Sequence, residues 1–294
     1  MYHKQAFSGS SPDFWEENWE ANEFEESVRF CAVDPLRPLF EKYLRPDSLV
    51  LEGGCGTGNY VSYYAARGFN IIGLDFALKA LKTRRTRQPH VKLCGGDVSR
   101  LPFAEKTFDL YYSGGVVEHF EDGSEESLRE ARRVLKDDGV LLISVPYYSP
   151  LRRILLPFKK DDWRPVKESS PDQNEVFRDK AFFQYAFRAS EFKKRLEGAG
   201  LKVIDKQGYA VLWGLYEIPF LNRNGKSEFP DAPQKASSNR PGVVDISEFM
   251  KDRPASITKR LIVSEDDSIP VLGLGVKLMR WASANMMMYI CTRN

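Results

Sequence analysis

Between residues 48 and 145 short apolar runs alternate with amphipathic stretches. Ser48–Glu52, Asn70–Asp75, Val91–Gly95, Phe108–Ser113 and Val140–Val145 predict five strands. Each is nearly continuous in apolar residues, as strands buried on both faces are. The segments Tyr60–Arg67, Phe76–Arg87 and Ser124–Leu135 carry helical spacing. Gly68 stops the first, and Asp122 with Glu125 has the spacing of a capping box before the third. Lys136–Gly139 reads as a turn into the fifth strand. Alternating strands and helices predict an α/β fold, a doubly wound parallel sheet with helices on both faces.

The flanks follow other rules. Residues 12–33 have a helical set of apolar positions among carboxylates, and Asp34–Tyr43 predicts a second helix with Asp34 as N-cap. After 145 the alternation breaks. Pro146–Asp179 is proline-rich and irregular, and within it Leu151–Lys160 is short, basic and apolar, suited to a lid or to contact with lipid. A helix from Ser190 to Glu197 and a strand from Lys202 to Leu212 restore the pattern. Residues 221–268 are polar and contain prolines; a helix at Val271–Ala282 and a strand at Asn285–Thr292 close the chain. The expected organisation is an N-terminal lid (1–34), a core (35–145), an insert (146–187), a continuation of the core (188–212), an excursion on the substrate side (213–282) and a final core strand (283–294).

Composition narrows the partners. Net charge is +2 and hydrophobic residues make up 42% of the chain, which fits a soluble protein with a full core and gives no global field toward nucleic acid. The basic run at Lys82, Arg84, Arg85 and Arg87 reads as a solvated helix end that complements the dipole. Four scattered cysteines and three histidines give no metal-ligand spacing. The N-terminus lacks the basic and apolar regions of a leader, and charged or helix-breaking residues interrupt Ile269–Ile290. The expectation is a cytoplasmic protein without stable membrane insertion.

The stretch with the strongest chemical content is Leu51-Glu-Gly-Gly-Cys-Gly-Thr-Gly-Asn59. Glycines at 53, 54, 56 and 58, between a strand and a helix, let the backbone approach a ligand, and the helix start adds orphan N–H donors. Two ligands remain open at this point. A dinucleotide needs a third glycine where this chain has Asn59. A cationic ligand would be attracted by Glu52, which would repel a pyrophosphate. Asp75 at the end of the second strand and Asp97 after the third share the sheet edge where such folds bind ligands.

With these motifs in order, the chain resembles the class I S-adenosylmethionine (SAM)-dependent methyltransferases, specifically the small-molecule type related to ubiquinone-biosynthesis methyltransferases. The resemblance is carried by the glycine loop, Gly73-Leu-Asp75-Phe76, Gly96-Asp97-Val98, Leu101–Leu110, Val116-Val-Glu118-His119-Phe and Leu135–Pro146. It implies a Rossmann-like seven-stranded sheet with the last strand antiparallel, and SAM as cofactor. Glu52, Gly53, Gly54, Gly56 and Gly58 would hold its methionine part, with Ser113 and Gly114 beside it. Asp75 would take the ribose hydroxyls, and Phe76, Asp97 and Val98 the adenine. No metal is implied.

His119 follows the fourth strand, where a near-neutral imidazole could serve as general base or hold the loop. Trp15, Trp19, Tyr147 and Tyr185 lie in segments outside the family core and are the candidate substrate-side residues for a small, apolar or ring-bearing acceptor. The rival functions are an RNA or protein methyltransferase, a SAM-binding module without catalysis and an NAD-dependent oxidoreductase.

Overall fold

A computed structural model describes residues 2–6, 14–15, 19, 24–155, 163–165, 181–215, 218, 261, 265–268 and 272–294. Ten strands and nine α-helices lie in this set. In chain order they are β1 (Tyr2–Ala6), α1 (Phe24–Cys31), α2 (Arg37–Tyr43), β2 (Leu49–Gly53), α3 (Asn59–Ala65), β3 (Asn70–Asp75), α4 (Leu78–Arg87), β4 (Lys92–Gly95), β5 (Phe108–Gly114), α5 (Glu125–Val134), β6 (Leu135–Pro146), α6 (Pro150–Leu155), β7 (Trp163–Pro165), β8 (Ala181–Ala186), α7 (Ala189–Gly198), β9 (Leu201–Tyr209), α8 (Val211–Leu215), α9 (Leu272–Ser283) and β10 (Met286–Arg293).

Seven strands form one sheet in the order β4-β3-β2-β5-β6-β10-β9. The strands from β4 to β6 pair in parallel, and β10 runs antiparallel to both β6 and β9. The architecture is therefore the expected Rossmann-like one, with the last strand reversed. Its apolar runs are continuous because both faces are covered. Leu51, Tyr111, Leu141, Ile143, Val145 and Tyr289 build one core. Their neighbours Val50, Leu110, Tyr112, Leu142 and Ile290 build the other, as a side-chain period of two requires.

A second sheet was not foreseen. β1 lies between β7 and β8, antiparallel to both. These strands pair across most of the chain, so no local alternation announces them. Pro165 ends the edge strand β7, where a missing N–H is tolerated.

Several local expectations give way. Of the helix expected at 12–33, the described part is α1 with helical turns at 14–15 and 19. Asp34 is not an N-cap: its Oδ1 accepts from Leu36 N–H at 2.8 Å, an Asx turn that precedes α2. The capping box before α5 is absent, because Ser124 takes the N-cap position without a side-chain bond. Lys136–Gly139 belongs to β6, where a register shift against Phe108–Leu110 absorbs the extra residues. Most of the 221–268 excursion lies outside the described residues.

Candidate functional site

The C-terminal edge of the sheet gathers the motifs. The glycine loop leaves β2 and is pinned to β3, since Gly54 and Cys55 both donate to Leu74 O, at 2.8 and 3.0 Å. Gly54 and Gly56 have φ of +74° and +51°, which side-chain-bearing residues rarely adopt. A Cβ on Gly54 would meet Val116 Cγ2 at 2.3 Å, so the turn after β5 lies directly on the loop.

Two of the three acidic residues of this edge, Asp75 and Glu52, are tied to the loop and the helix that follows it. Asp75 is buried and accepts from Gly56 N–H at 2.7 Å and from Ala77 N–H at 2.8 Å. Its carboxylate thus closes the loop and starts α4, and its further lone pairs can serve a ligand hydroxyl. Glu52 is buried and accepts from Val61 N–H at 3.1 Å, in the first turn of α3. Burial pushes it up to about 8, against the opposing pull of Val61 N–H, and Asp75 adds to the rise. The native state therefore keeps a proton that the unfolded chain releases above its ordinary value of 4.5. That contribution to stability is complete below this value and lost as pH rises through about 8. Glu52→Gln should accordingly flatten the decline in stability between these limits. Urea unfolding at pH 5 and pH 8 measures it, and an unchanged slope contradicts the assignment.

Arg84 corrects the solvated-face reading of the basic run. It is 2% exposed, and its Nε donates to Thr57 O and its Nη2 to Asn59 Oδ1, the latter at 2.5 Å. Burial lowers it to about 9. Asn59, which breaks the dinucleotide pattern, is thus the side chain that receives this clamp. Lys82 and Arg85 are exposed as expected.

The residues expected to flank an adenine are open to solvent at the sheet edge. Phe76 is 45% exposed, and Asp97 is exposed with Oδ1 accepting from Ser99 N–H at 2.8 Å. Val98 is buried in the core. At the end of β5 Ser113 is buried, and its Oγ has no hydrogen-bond partner. Gly114 has no room for a side chain, which would meet the Tyr112 hydroxyl at 2.4 Å.

The aromatic residues divide. Trp15 stacks on Trp19 at 5.7 Å, and a Cβ on Gly56 would meet the Trp19 ring at 2.8 Å. The N-terminal pair therefore covers the glycine loop. Trp15 also meets His119 edge-on at 4.8 Å and stacks with Phe183 of β8 at 6.3 Å. Tyr185 O–H donates to Glu121 O at 2.8 Å, which ties β8 to the same turn. Tyr147 is a correction. It continues the inward alternation of Ile143 and Val145, is 6% exposed and packs in the core. It holds the end of β6 to the end of α9 through Tyr147 N–H to Asn285 O at 2.7 Å.

His119 sits inside this aromatic cluster. Its Nδ1 is 2.7 Å from Phe183 O, and burial lowers it to about 4. It stays neutral at pH 7, with little appetite for a proton, and its bond anchors β8 to the turn after β5. His119→Gln should release β8 from the turn after β5 while the glycine loop stays intact. Tryptophan emission from Trp15 and Trp19 should shift to the red; an unchanged spectrum would remove His119 as the anchor.

Comparison with known proteins gives a consistent family. The family model described as "Methyltransferase domain" matches residues 51–143, from the glycine loop through β6. A "probable S-adenosylmethionine-dependent methyltransferase" of Mycolicibacterium smegmatis is 27% identical over 78% of this chain and 81% of its own length. A demethylmenaquinone methyltransferase of Renibacterium salmoninarum is 32% identical over 37% of this chain, which spans about half (47%) of that relative. Among solved structures, the S-adenosylmethionine-dependent methyltransferase of Mesorhizobium loti aligns over 88% of this chain and 98% of its own, at 14% identity and a TM-score of 0.50. That likeness concerns the fold.

Proposed function

Because the chain belongs to the SAM-dependent methyltransferases, we propose that it binds SAM along the C-terminal edge of β2, β3 and β5 and methylates a small, apolar or ring-bearing acceptor beneath its aromatic lid. The observation that carries the reading is the meeting of lid and loop. Trp19 rests on Gly56, while Trp15, His119 and Phe183 form a cluster beside it. A flat apolar group can pack against such rings, and an aromatic cover excludes water.

The residues suit the cofactor. Three carboxylates at one sheet edge match a ligand with an ammonium, a sulfonium, a ribose diol and an amine. Glu52 and the Gly53, Gly54, Gly56 and Gly58 loop would hold the methionine end, with Ser113 and Gly114 beside it. The partnerless Ser113 hydroxyl is a ready donor there. Asp75 would bind the ribose, and exposed Phe76 and Asp97 would flank the adenine with Val98 beneath. Bound SAM supplies a methyl group already activated on sulfur. The chain's own task is alignment of the acceptor with that methyl in a dry pocket.

The acceptor atom is O, N or C, and a quinone of the kind named for the Renibacterium relative is a first candidate. Calorimetry with SAM and with NADH, followed by transfer of labelled methyl to a panel of quinols, phenols and amines, tests the function. Binding of NADH alone would overturn it. Removal of residues 1–33 should weaken SAM retention by about tenfold or more, because Trp15 and Trp19 go with them. A truncated protein that holds SAM as tightly as the full chain would show that the segment is no lid.

A further inference from the structure

The turn after β5 crosses the sheet edge between the glycine loop and β6. Val116 packs on Gly54 on one side. On the other, Gly115 N–H donates to Ser144 O at 3.2 Å. A side chain on Gly115 would lie 3.4 Å from Glu118 Oε1 and 3.7 Å from Met286 Cε, at the start of β10. The Glu118 carboxyl therefore turns back against Gly115, beside the end of β5 and near the start of β10. It is 2% exposed, and its Oε2 has no hydrogen-bond partner. Ser113 Oγ, at the end of β5, is likewise buried and without one. A buried carboxyl with an unpaired oxygen is costly unless a ligand satisfies it.

Resting on the methyltransferase reading above, we propose that Glu118, rather than His119, is the proton acceptor of the transfer site, serving a hydroxyl or amine acceptor. Beside the bound sulfonium the Glu118 carboxyl ionises; the nucleophile's lone pair then forms the bond to the methyl carbon, the departing pair stays on sulfur to give a thioether, and the nucleophile's proton passes to the Glu118 carboxylate. His119 is engaged with Phe183 O in the lid and is a weak base. Burial instead pushes Glu118 up to about 8, a value suited to taking a proton at neutral pH. Among the described residues, Tyr209 of β9 feels the Glu118 charge. Tyr209 donates to Ser144 Oγ at 2.9 Å, and Tyr209, Tyr147 of β6 and Tyr185 of β8 are all raised by burial and stay neutral.

Cofactor analogues test the proposal without knowledge of the acceptor. Sinefungin carries an ammonium where the methyl group would be, and S-adenosylhomocysteine carries nothing there. The wild-type protein should bind sinefungin about tenfold or more tighter than S-adenosylhomocysteine. Binding heats in phosphate and in Tris at pH 7 should report about one more proton released with sinefungin, as the Glu118 carboxyl ionises beside the new charge. Glu118→Gln should reduce the preference to below about threefold and leave S-adenosylhomocysteine affinity unchanged. Equal affinities and equal proton release in the wild type overturn the proposal, and this arm is independent of how the variant folds. So does a folded Glu118→Gln protein that keeps the preference. A wild-type protein that binds neither analogue overturns the cofactor reading itself, and the proposal with it.

Discussion

Gly54→Ala should abolish SAM binding at concentrations that saturate the wild type, and should lower stability by about 2–6 kcal/mol. Two costs add. The loop holds φ at +74°, where a Cβ introduces strain of about 1–3 kcal/mol. That Cβ would also stand 2.3 and 2.9 Å from the two γ-carbons of Val116, and overpacking of this kind costs about 1–3 kcal/mol. Val116 is β-branched and cannot rotate away cheaply. It begins the turn that carries Glu118 and His119, so the displacement would reach the reacting end of the site. Gly68→Ala separates the two costs. Gly68 has φ +87° but nothing within 4 Å of its would-be Cβ. It should lose about 1–3 kcal/mol from strain alone and keep SAM affinity. Calorimetry and urea unfolding on both variants decide the matter. Gly54→Ala protein that binds SAM within threefold of wild type would show that the loop does not carry the cofactor.

The sheet was legible because its causes are local. Strands buried on both faces must be apolar throughout, so β2, β3, β5 and the end of β6 appear as runs without reference to their partners. The glycine loop was legible for a similar reason, since positive φ asks for glycine at the position itself. What the sequence hid depends on distant partners. β1 has no reason to be a strand except β7 and β8, which lie far along the chain. Arg84 looks like its neighbours Lys82 and Arg85 in composition, and only the path of the glycine loop tells which one turns inward. Tyr147 shows the same limit in reverse. It was grouped with the aromatic residues of the insert, yet the strand's alternation extends one step past Pro146 and takes it into the core.

The inward turn of Arg84 makes the second large prediction. Arg84→Met should cost about 2–4 kcal/mol and weaken SAM binding by tenfold or more, while Arg85→Met should stay within about 0.5 kcal/mol of wild type. The Arg84 guanidinium bonds Thr57 O and Asn59 Oδ1, so a residue of α4 fixes both the crest of the loop and the first residue of α3. Hydrogen bonds from a charged donor contribute about 1.5–3 kcal/mol each. Methionine fills much of the volume and returns the desolvation cost of the charge, which is why the net loss is smaller than two such bonds. The carbonyl of Thr57 and the amide of Asn59 would then seek other partners, and the loop's N–H groups would turn with them. The Arg84 charge also holds down the rise at Glu52. In Arg84→Met the proton on Glu52 should therefore be retained to higher pH, and SAM affinity should depend more steeply on pH near 8. Calorimetric titration of both variants at pH 7 and pH 8.5 measures this. If Arg84→Met and Arg85→Met behave alike, the buried guanidinium is not the clamp of the loop.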